Sequence, residues 1–497
     1  MNHHTLSLRS LRLGALVLAL GLTACADMSG IAPASGRLRD NAALGLPDAA
    51  SAPAAAPASM VSAQWWRDLG DEQLDRLVAQ ALQDSPSLKA AQSRLMRALA
   101  LTEVADSASK PQLTGSLDLT HQLFSGTGLY PAPLAGNIWD TGTARLTGGW
   151  ELDFFGKHRA ALDAALGSAN AAQADAQAAA VLLASQVTRS YLQLARLNDQ
   201  LTVARRTLAQ RDETLRLVRD RVTAGLDTRL ELRQSEGGLP EARQQIEALQ
   251  EQMALTRNAL AALVGDPKLA PGITAPTLAS LKPLAVPAQL PADLLAQRAD
   301  VTAARWRVEA ATKDVANAKT QFYPNINLMA FAGFNSIGFG QLLKSDSKEW
   351  GVGPAVRLPI FDGGRLRANL RTKNADLDAA IESYNSTVLD AVRDVADQVA
   401  STQSIERQRT EQRAAQTAAE SAYEIAVQRY QAGLGNYLNV LTAETSVLSQ
   451  RRQAVDLAAR ELDTQIALVR AVGGGYQPAQ ALASAGQASQ AAQATTH

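Results

Sequence analysis

The chain contains one unit twice, at a constant spacing. An Arg-x-x-Ala-Gly-Leu turn at Arg221, Ala224, Gly225 and Leu226 recurs 208 residues later as Arg429, Ala432, Gly433 and Leu434. The match runs on without a gap, pairing Leu230 with Leu438, Glu236 with Glu444, Arg243 with Arg451, Leu249 with Leu457, Leu260 with Leu468 and Gly265 with Gly473. A fixed offset held over some fifty residues means one supersecondary unit built twice. Before the first turn, the stretch from about Lys157 to Thr223 is helical in pattern and has no proline. At ~1.5 Å per residue it would be roughly 100 Å long, far beyond a globular helix. Leu197, Leu201, Ala204, Leu208, Leu215, Val218 and Val222 follow steps of four and three, with Arg211 filling one position of that seam. After the turn Leu239, Ile246, Met253 and Leu260 recur every seven residues. These are coiled-coil seams, so each turn is the tip of a long helical hairpin.

Four shorter segments precede or interrupt the hairpins with a period of two. In 112–120, Leu113, Leu117 and Leu119 alternate with polar residues; in 143–155, Ala144, Leu146, Trp150, Leu152 and Phe154 do the same. The second half repeats the plan at about 325–334 and 351–360, less cleanly in the third strand, where Met329 and Phe331 interrupt the alternation. Pro354 and Pro359 require edge or end positions in the fourth. Strict alternation over nine to twelve residues marks strands with one apolar and one polar face, of the length of a tilted membrane-spanning strand. Short helices are expected at about 71–83, 87–108 and 300–320.

The chain's start reads as an address. Arg9 and Arg12 stand at the start of an apolar run from Leu13 to Leu22 that ends in Leu22-Thr23-Ala24-Cys25, too short to span a bilayer and shaped like a secretory signal of residues 1–24. Cys25 is the only cysteine, so no internal disulfide staples this exported chain. Residues 25–60 are an Ala/Pro/Ser-rich linker, 61–266 the first repeat, 267–290 a proline-rich connector, 291–475 the second repeat and 476–497 a polar tail expected to be disordered. Net charge is zero, which argues against nucleic acid as a partner. Aromatics are only 4%, a composition suited to long helices rather than a compact enzyme core. No segment after the signal offers ~18 uncharged apolar residues, so any membrane span must be made of strands.

Four strands cannot close a membrane barrel, whose smallest stable form has ~8, and an open sheet leaves unpaired edge groups in lipid. Such strands must borrow neighbours from other chains. The smallest sufficient cyclic ring is a homotrimer with a 12-strand β-barrel and, from two hairpins per chain, 12 long helices.

At this point the residues resemble a known family, the TolC-like outer-membrane efflux factors, in their lipidated branch. The resemblance rests on Trp65-Trp66-Arg67-Asp68-Leu69-Gly70-Asp71, Trp150-Glu151-Leu152-Asp153-Phe154-Phe155-Gly156, Ala292-Asp293-Leu294 through Val301, Leu358-Pro359-Ile360-Phe361-Asp362-Gly363-Gly364-Arg365 and Arg429-Tyr430-Gln431-Ala432-Gly433. It covers roughly residues 62–475. It implies a mainly α chain whose trimeric barrel continues into a helical periplasmic tunnel at the cell outer membrane. It implies passive export of small molecules or drugs from an inner-membrane resistance–nodulation–division pump through a periplasmic adaptor (membrane fusion) protein, without cofactor or metal. The sequence around Cys25 resembles a bacterial lipobox, and Ala26 after it favours the outer membrane. By position, Gly225, Leu226, Gly433 and Leu434 would form adaptor-docking tips, and Leu438 an apolar pore constriction. Asn439 and Thr442 stand where family members carry aspartate rings; Glu444, half a turn on, is a further candidate to face the lumen. Tyr430 and Glu231 occupy positions where family members link neighbouring hairpins by hydrogen bonds.

Catalysis finds no support. His3 and His4 lie in the signal and His497 in the tail, and neither His121 nor His158 has a metal-ligand spacing or a nucleophile motif beside it. A coiled-coil spacer would not carry the alternating strands. The remaining alternative is the outer-membrane duct of a type I protein secretion system; lipidation and the Trp65-Trp66 motif favour the solute pump.

The expected mature protein begins at an acylated Cys25. Intact-mass analysis of purified protein checks this, and an unmodified N-terminus at any other residue would overturn it. Acyl chains anchor by ~0.8 kcal/mol per buried CH₂, so Cys25→Ser is expected to slow membrane assembly more than it destabilises finished oligomers.

Overall fold

The computed structural model describes residues 28–34, 37–38, 61–284 and 298–476. The signal 1–24, Cys25, most of the linker, the end of the connector and the tail from residue 477 lie outside the described residues. A 3₁₀ turn at Trp65–Leu69 leads into α1 (Glu72–Asp84) and α2 (Pro86–Ser107), then β1 (Gln112–Leu123), β2 (Ile138–Leu152), α3 (Lys157–Thr223) and α4 (Arg229–Val264). The second half runs α5 (Ala299–Thr320), β3 (Asn325–Ile337), β4 (Lys348–Arg357), α6 (Arg365–Gln431) and α7 (Tyr437–Ala471). Local chemistry explains the helix starts. Asp71 caps α1 by accepting from the Gln73 and Leu74 amides, and Pro86 opens α2 at its first position, where its missing N–H costs nothing.

α3 and α6 are each 67 residues long, so each is a rod of about 100 Å. No helix among the described residues is long and apolar enough to cross a membrane. The expected seam holds: Leu197, Leu201, Leu215 and Val218 of α3 are buried, as are Leu239, Ile246, Met253 and Leu260 of α4. Midway along α3 the seam widens into the largest core. Trp65, Trp66 and Leu69 pack there with α1, α4 and the end of α7, and the Tyr191 hydroxyl donates to the Asp71 carboxylate at 3.0 Å. α4 carries a local weakness. Gly237, Gly238 and Pro240 together disfavour a helix by about 5 kcal/mol relative to alanine. At the repeat-related positions α7 has Thr445, Ser446 and Leu448.

The four strands form one antiparallel sheet in the order β1-β2-β3-β4. Pairing aligns the alternation across all four. One face collects Leu113, Leu117 and Leu119, then Ala144, Leu146 and Trp150, then Leu328, Ala330 and Phe334, then Trp350, Val352 and Val356. Leu113, Leu117, Trp350, Val352 and Val356 are all more than 60% exposed within the chain, so this apolar face has no cover of its own. The opposite face carries Thr114, Ser116, Asp118, Thr143, Arg145, Thr147, Asn327 and Glu349. There Arg145 of β2 reaches across β3 to Glu349 of β4, its Nε donating at 2.8 Å, with the guanidinium 4.9 Å above the Phe331 ring. The residue between them on β3 is Gly333, where a Cβ would stand 2.2 Å from the Ala144 carbonyl oxygen. Phe331, which breaks the alternation of the third strand, is thus the floor of a polar contact.

The register also steps sideways. Leu117 pairs with Ala144, Ala144 with Phe334, and Phe334 with Lys348, so β4 starts opposite a residue six short of Leu123, where β1 ends. Strand ends that step in this way give the sheet the stagger that a closed barrel requires.

The strand limits differ from the sequence expectation. β1 continues to Leu123 and β3 to Ile337, while β2 begins at Ile138 and stops at Leu152. β4 runs 348–357 instead of 351–360. Side-chain alternation fades near strand ends although the backbone pairing persists there. The far ends fail for a different reason. Asp153 accepts from the Arg159 amide and Asp362 from the Leu366 amide, so 153–156 and 358–364 are turns that start the long helices.

The two faces make opposite predictions for one substitution. Leu117→Arg places a charge in the apolar face and is expected to cost ~2–4 kcal/mol of membrane-folded stability. Thr114→Arg, on the polar face, is expected to cost much less. Urea titration of vesicle-embedded protein measures both, and equal losses would reverse the assignment of faces.

Candidate gate at the helical tips

The two hairpin tips are built alike. α3 and α6 each end in an αR alanine followed by a left-handed glycine, Gly225 and Gly433, both at φ 73°. Only glycine adopts that angle without a Cβ penalty. The next amides close the turn, Leu226 to the Arg221 carbonyl at 2.9 Å and Leu434 to the Arg429 carbonyl at 2.8 Å. The closure leaves Leu226 65% and Leu434 70% exposed, an apolar knob on each tip.

The following helix starts are not alike. Thr228 and Glu231 form a capping box at the head of α4: the Thr228 hydroxyl accepts from Leu230 N, and the Glu231 carboxylate accepts from Thr228 N at 3.0 Å and from its hydroxyl. Asn436 alone caps α7. This occupies Glu231 locally; within the chain, the carboxylate that Tyr430 meets is Asp227. The fully buried Tyr430 hydroxyl donates to Asp227 Oδ2, and the Arg221 guanidinium donates to both oxygens of the same carboxylate at 2.9 and 3.3 Å. Arg221 also lies 4.5 Å over the Tyr430 ring, whose other neighbours include Tyr437, at a centroid distance of 6.0 Å. Val218 and Val440 complete the apolar surroundings. One arginine, one carboxylate and one phenol therefore tie the first tip to the second.

Electrostatics favour this link near neutrality. Burial pushes the Asp227 carboxyl up, but the Arg221 and Tyr430 hydrogen bonds outweigh it and hold the group below the ordinary aspartate range. Burial and the Asp227 carboxylate push the Tyr430 phenol well up, so it remains a donor.

Leu438, Asn439 and Thr442 lie on the side of α7 away from the buried Tyr437, Val440 and Val447, with Leu438 60% exposed. The exposed stripe continues through Thr445, Ser446 and Ser449 and holds no carboxylate. Thr442 donates to the Leu438 carbonyl at 2.9 Å, and no residue of the stripe carries a charge. Glu444 does not face outward as the sequence allowed. It is 7% exposed and turned into the bundle, where it accepts from Arg211 Nε at 2.7 Å. Sequence reasoning missed Asp227, and it marked Arg211 as a seam exception without its partners. Asp227 stands opposite Gly435 in the repeat, so comparison of shared positions passes over it; the Arg221-to-Asp227 spacing across the glycine turn was the available signal.

The sequence profile of the outer membrane efflux protein family matches residues 77–266 and 290–474. The chain is 39% identical over 378 residues to the fusaric acid resistance protein FusA of Burkholderia cepacia, covering 74% of this chain and 69% of that protein. It is 32% identical over 430 residues to the multidrug resistance outer membrane protein MdtP of Escherichia coli K12, covering 84% and 87%. The crystal structure of the outer membrane protein VceC from Vibrio cholerae superposes with a TM-score of 0.80 at 36% identity, covering 84% of this chain and all of that one.

Loss of the tip link is measurable by hydrogen exchange. Tyr430→Phe removes a hydrogen bond to a charged group, about 1.5–3 kcal/mol, and is expected to speed exchange of the amides around 218–230 about ten-fold or more at pH 7. Because the native Asp227 pKa is lowered, the wild-type link is complete above the ordinary aspartate value of about 3.9 and is lost as pH falls through the native value. Wild-type exchange corrected for intrinsic rates should hence stay flat from pH 7 to about 5 and rise only below about pH 4. Equal protection in wild type and Tyr430→Phe would remove the link from the account.

Proposed function

The chain belongs to the outer membrane efflux protein family and is an outer-membrane efflux duct, not an enzyme; from that premise we propose how it is assembled, anchored and gated. Three chains close their sheets edge to edge, β4 of one against β1 of the next, into a 12-strand barrel. The antiparallel order makes this closure antiparallel as well, and the stepped register supplies the tilt a barrel needs. The observation that carries the reading is the uncovered apolar face on a sheet with two open edges, joined directly to helical rods of about 100 Å. Lipid satisfies the face, and only neighbouring strands satisfy the edges. The six hairpins then form a 12-helix periplasmic tunnel, with acylated Cys25 as a second membrane anchor.

The knobs Leu226 and Leu434 dock a periplasmic adaptor, which couples the duct to an inner-membrane pump. The relatives' names, fusaric acid resistance and multidrug resistance, support small organic toxicants rather than secreted proteins as cargo. Three copies of Leu438 around the axis form a narrow apolar constriction that excludes water and ions by dewetting. The neutral stripe of Asn439 and Thr442 makes this closure independent of acidic rings. Arg221, Asp227 and Tyr430 hold the resting state, with Glu231 fixing the head of α4.

Planar-bilayer recording tests the reading together with vancomycin entry into cells lacking the pump. Wild-type protein is expected to form small, long-lived resting channels. Leu438→Ala should raise their conductance and admit vancomycin, and Tyr430→Phe with Asp227→Asn should do so by weakening the tip link. Protein that inserts but never conducts would sink the duct assignment. Wild-type values in all variants would place the constriction elsewhere.

A further inference from the structure

The seam of α3 contains one residue that a coiled coil should not hold. Arg211 occupies a seam position with its side chain only 15% exposed, and its three hydrogen bonds go to two other helices. Nη1 donates to the Gly238 carbonyl at 2.8 Å and to Glu241 at 2.9 Å, both on α4. Nε donates to Glu444 of α7 at 2.7 Å. The contact falls at the weakest point of α4. Pro240 has no N–H for the Glu236 carbonyl, and Gly237 and Gly238 precede it. The second hairpin has Thr445, Ser446 and Leu448 at the matching places, so among the return helices only α4 is built to bend.

We infer that Arg211 is a positioning residue of the gate: it clamps to α7 the Gly237–Pro240 stretch of α4, the point where this otherwise continuous helix is weakest and can break, and its release lets the α4 segment below that break point swing away from the axis. The inference rests on the reading of the chain as a gated duct. Gly238 lies ten residues past the Thr228 cap, about 15 Å from the tip, so the break sits above the Arg221–Asp227–Tyr430 link. Bending there moves the first tip as a unit without unwinding the seam toward the membrane. Glu444 is the second hairpin's share of the clamp. Because it is buried and salt-bridged to Arg211, movement of α7 reaches α4 through the Arg211 side chain of α3.

The clamp and the break separate genetically. Stiffening is sterically free at Gly237, where a Cβ meets nothing within 4 Å; at Gly238 a Cβ makes ordinary contacts of 3.4–3.7 Å with Arg211 Cδ, Nη1 and Nε, so Gly237→Ala with Pro240→Ala alone is the control that leaves the clamp untouched. Arg211→Ala is expected to raise resting single-channel conductance about three-fold or more and to admit vancomycin, with Glu444→Gln giving a smaller rise. Gly237→Ala, Gly238→Ala and Pro240→Ala combined should leave the resting pore small and abolish drug tolerance in cells with the pump. Adding Arg211→Ala to that stiffened chain should no longer cause leak. A purely structural Arg211 would leave the leak in place when the helix is stiffened, and that result would overturn the inference. Trimer thermal stability is recorded for every variant. If Arg211→Ala yields no trimer, Glu444→Gln in the native and stiffened chains decides by the same suppression test. Wild-type channels of normal size with unchanged variants overturn the clamp alone, whereas absence of any wild-type channel overturns the duct reading beneath it.

Discussion

An unpaired backbone amide or carbonyl in hydrocarbon costs several kcal/mol, and that penalty governs this molecule. β1 and β4 each offer a free edge while the face between them is apolar. Neither edge can be left in lipid, and four strands cannot curl far enough to meet. Oligomerisation is therefore a condition of the sheet's existence in a membrane rather than an embellishment of it. The helical half inherits the consequence. Each chain enters and leaves the sheet twice, so in the proposed ring every copy would hang two hairpins beneath it, and the tunnel would take the symmetry of the barrel.

The two repeats divide labour. Positions shared at the 208-residue offset build architecture: the left-handed glycines, the turn leucines and the seam residues Leu260 and Leu468. Positions that differ make contacts between the hairpins. Asp227 has Gly435 as its counterpart, Tyr430 has Val222, and the Gly-Gly-Leu-Pro run of α4 has Thr-Ser-Val-Leu. A perfectly duplicated chain would have the same tube and no means of linking one hairpin to the other.

Periodicity reveals most of the fold because burial imposes it. The first long helix was legible at Lys157–Thr223, and Arg365–Gln431 shares its plan, since both begin after glycine and end before an Ala-Gly turn. Strand limits were less legible. Asp140 and Ser336 sit on the apolar side at one end of the sheet, where pairing continues after the hydrophobic demand has ended. The link between the tips was half legible: Tyr430 declared itself by position, but its partner within the chain, Asp227, did not, and Glu231 sits in a helix cap instead. Arg211 was visible as an exception to its seam, although nothing in a linear sequence says which three groups, 27 to 233 residues away, an exceptional arginine will find.

The length of α3 has a mechanical meaning. Its firmest anchorage is the midway core around Leu194 and Leu197, and from there the helix runs free of the membrane to Thr223. That arm is about 40 Å, so a tilt of only about 5° carries its end sideways by about 3.5 Å. Rods acting together around one axis turn an angular change too small to disturb side-chain packing at the fulcrum into an aperture change the size of a small solute. The duct is in this sense a set of levers, stiff enough to transmit a small force from the tip and long enough to need no more.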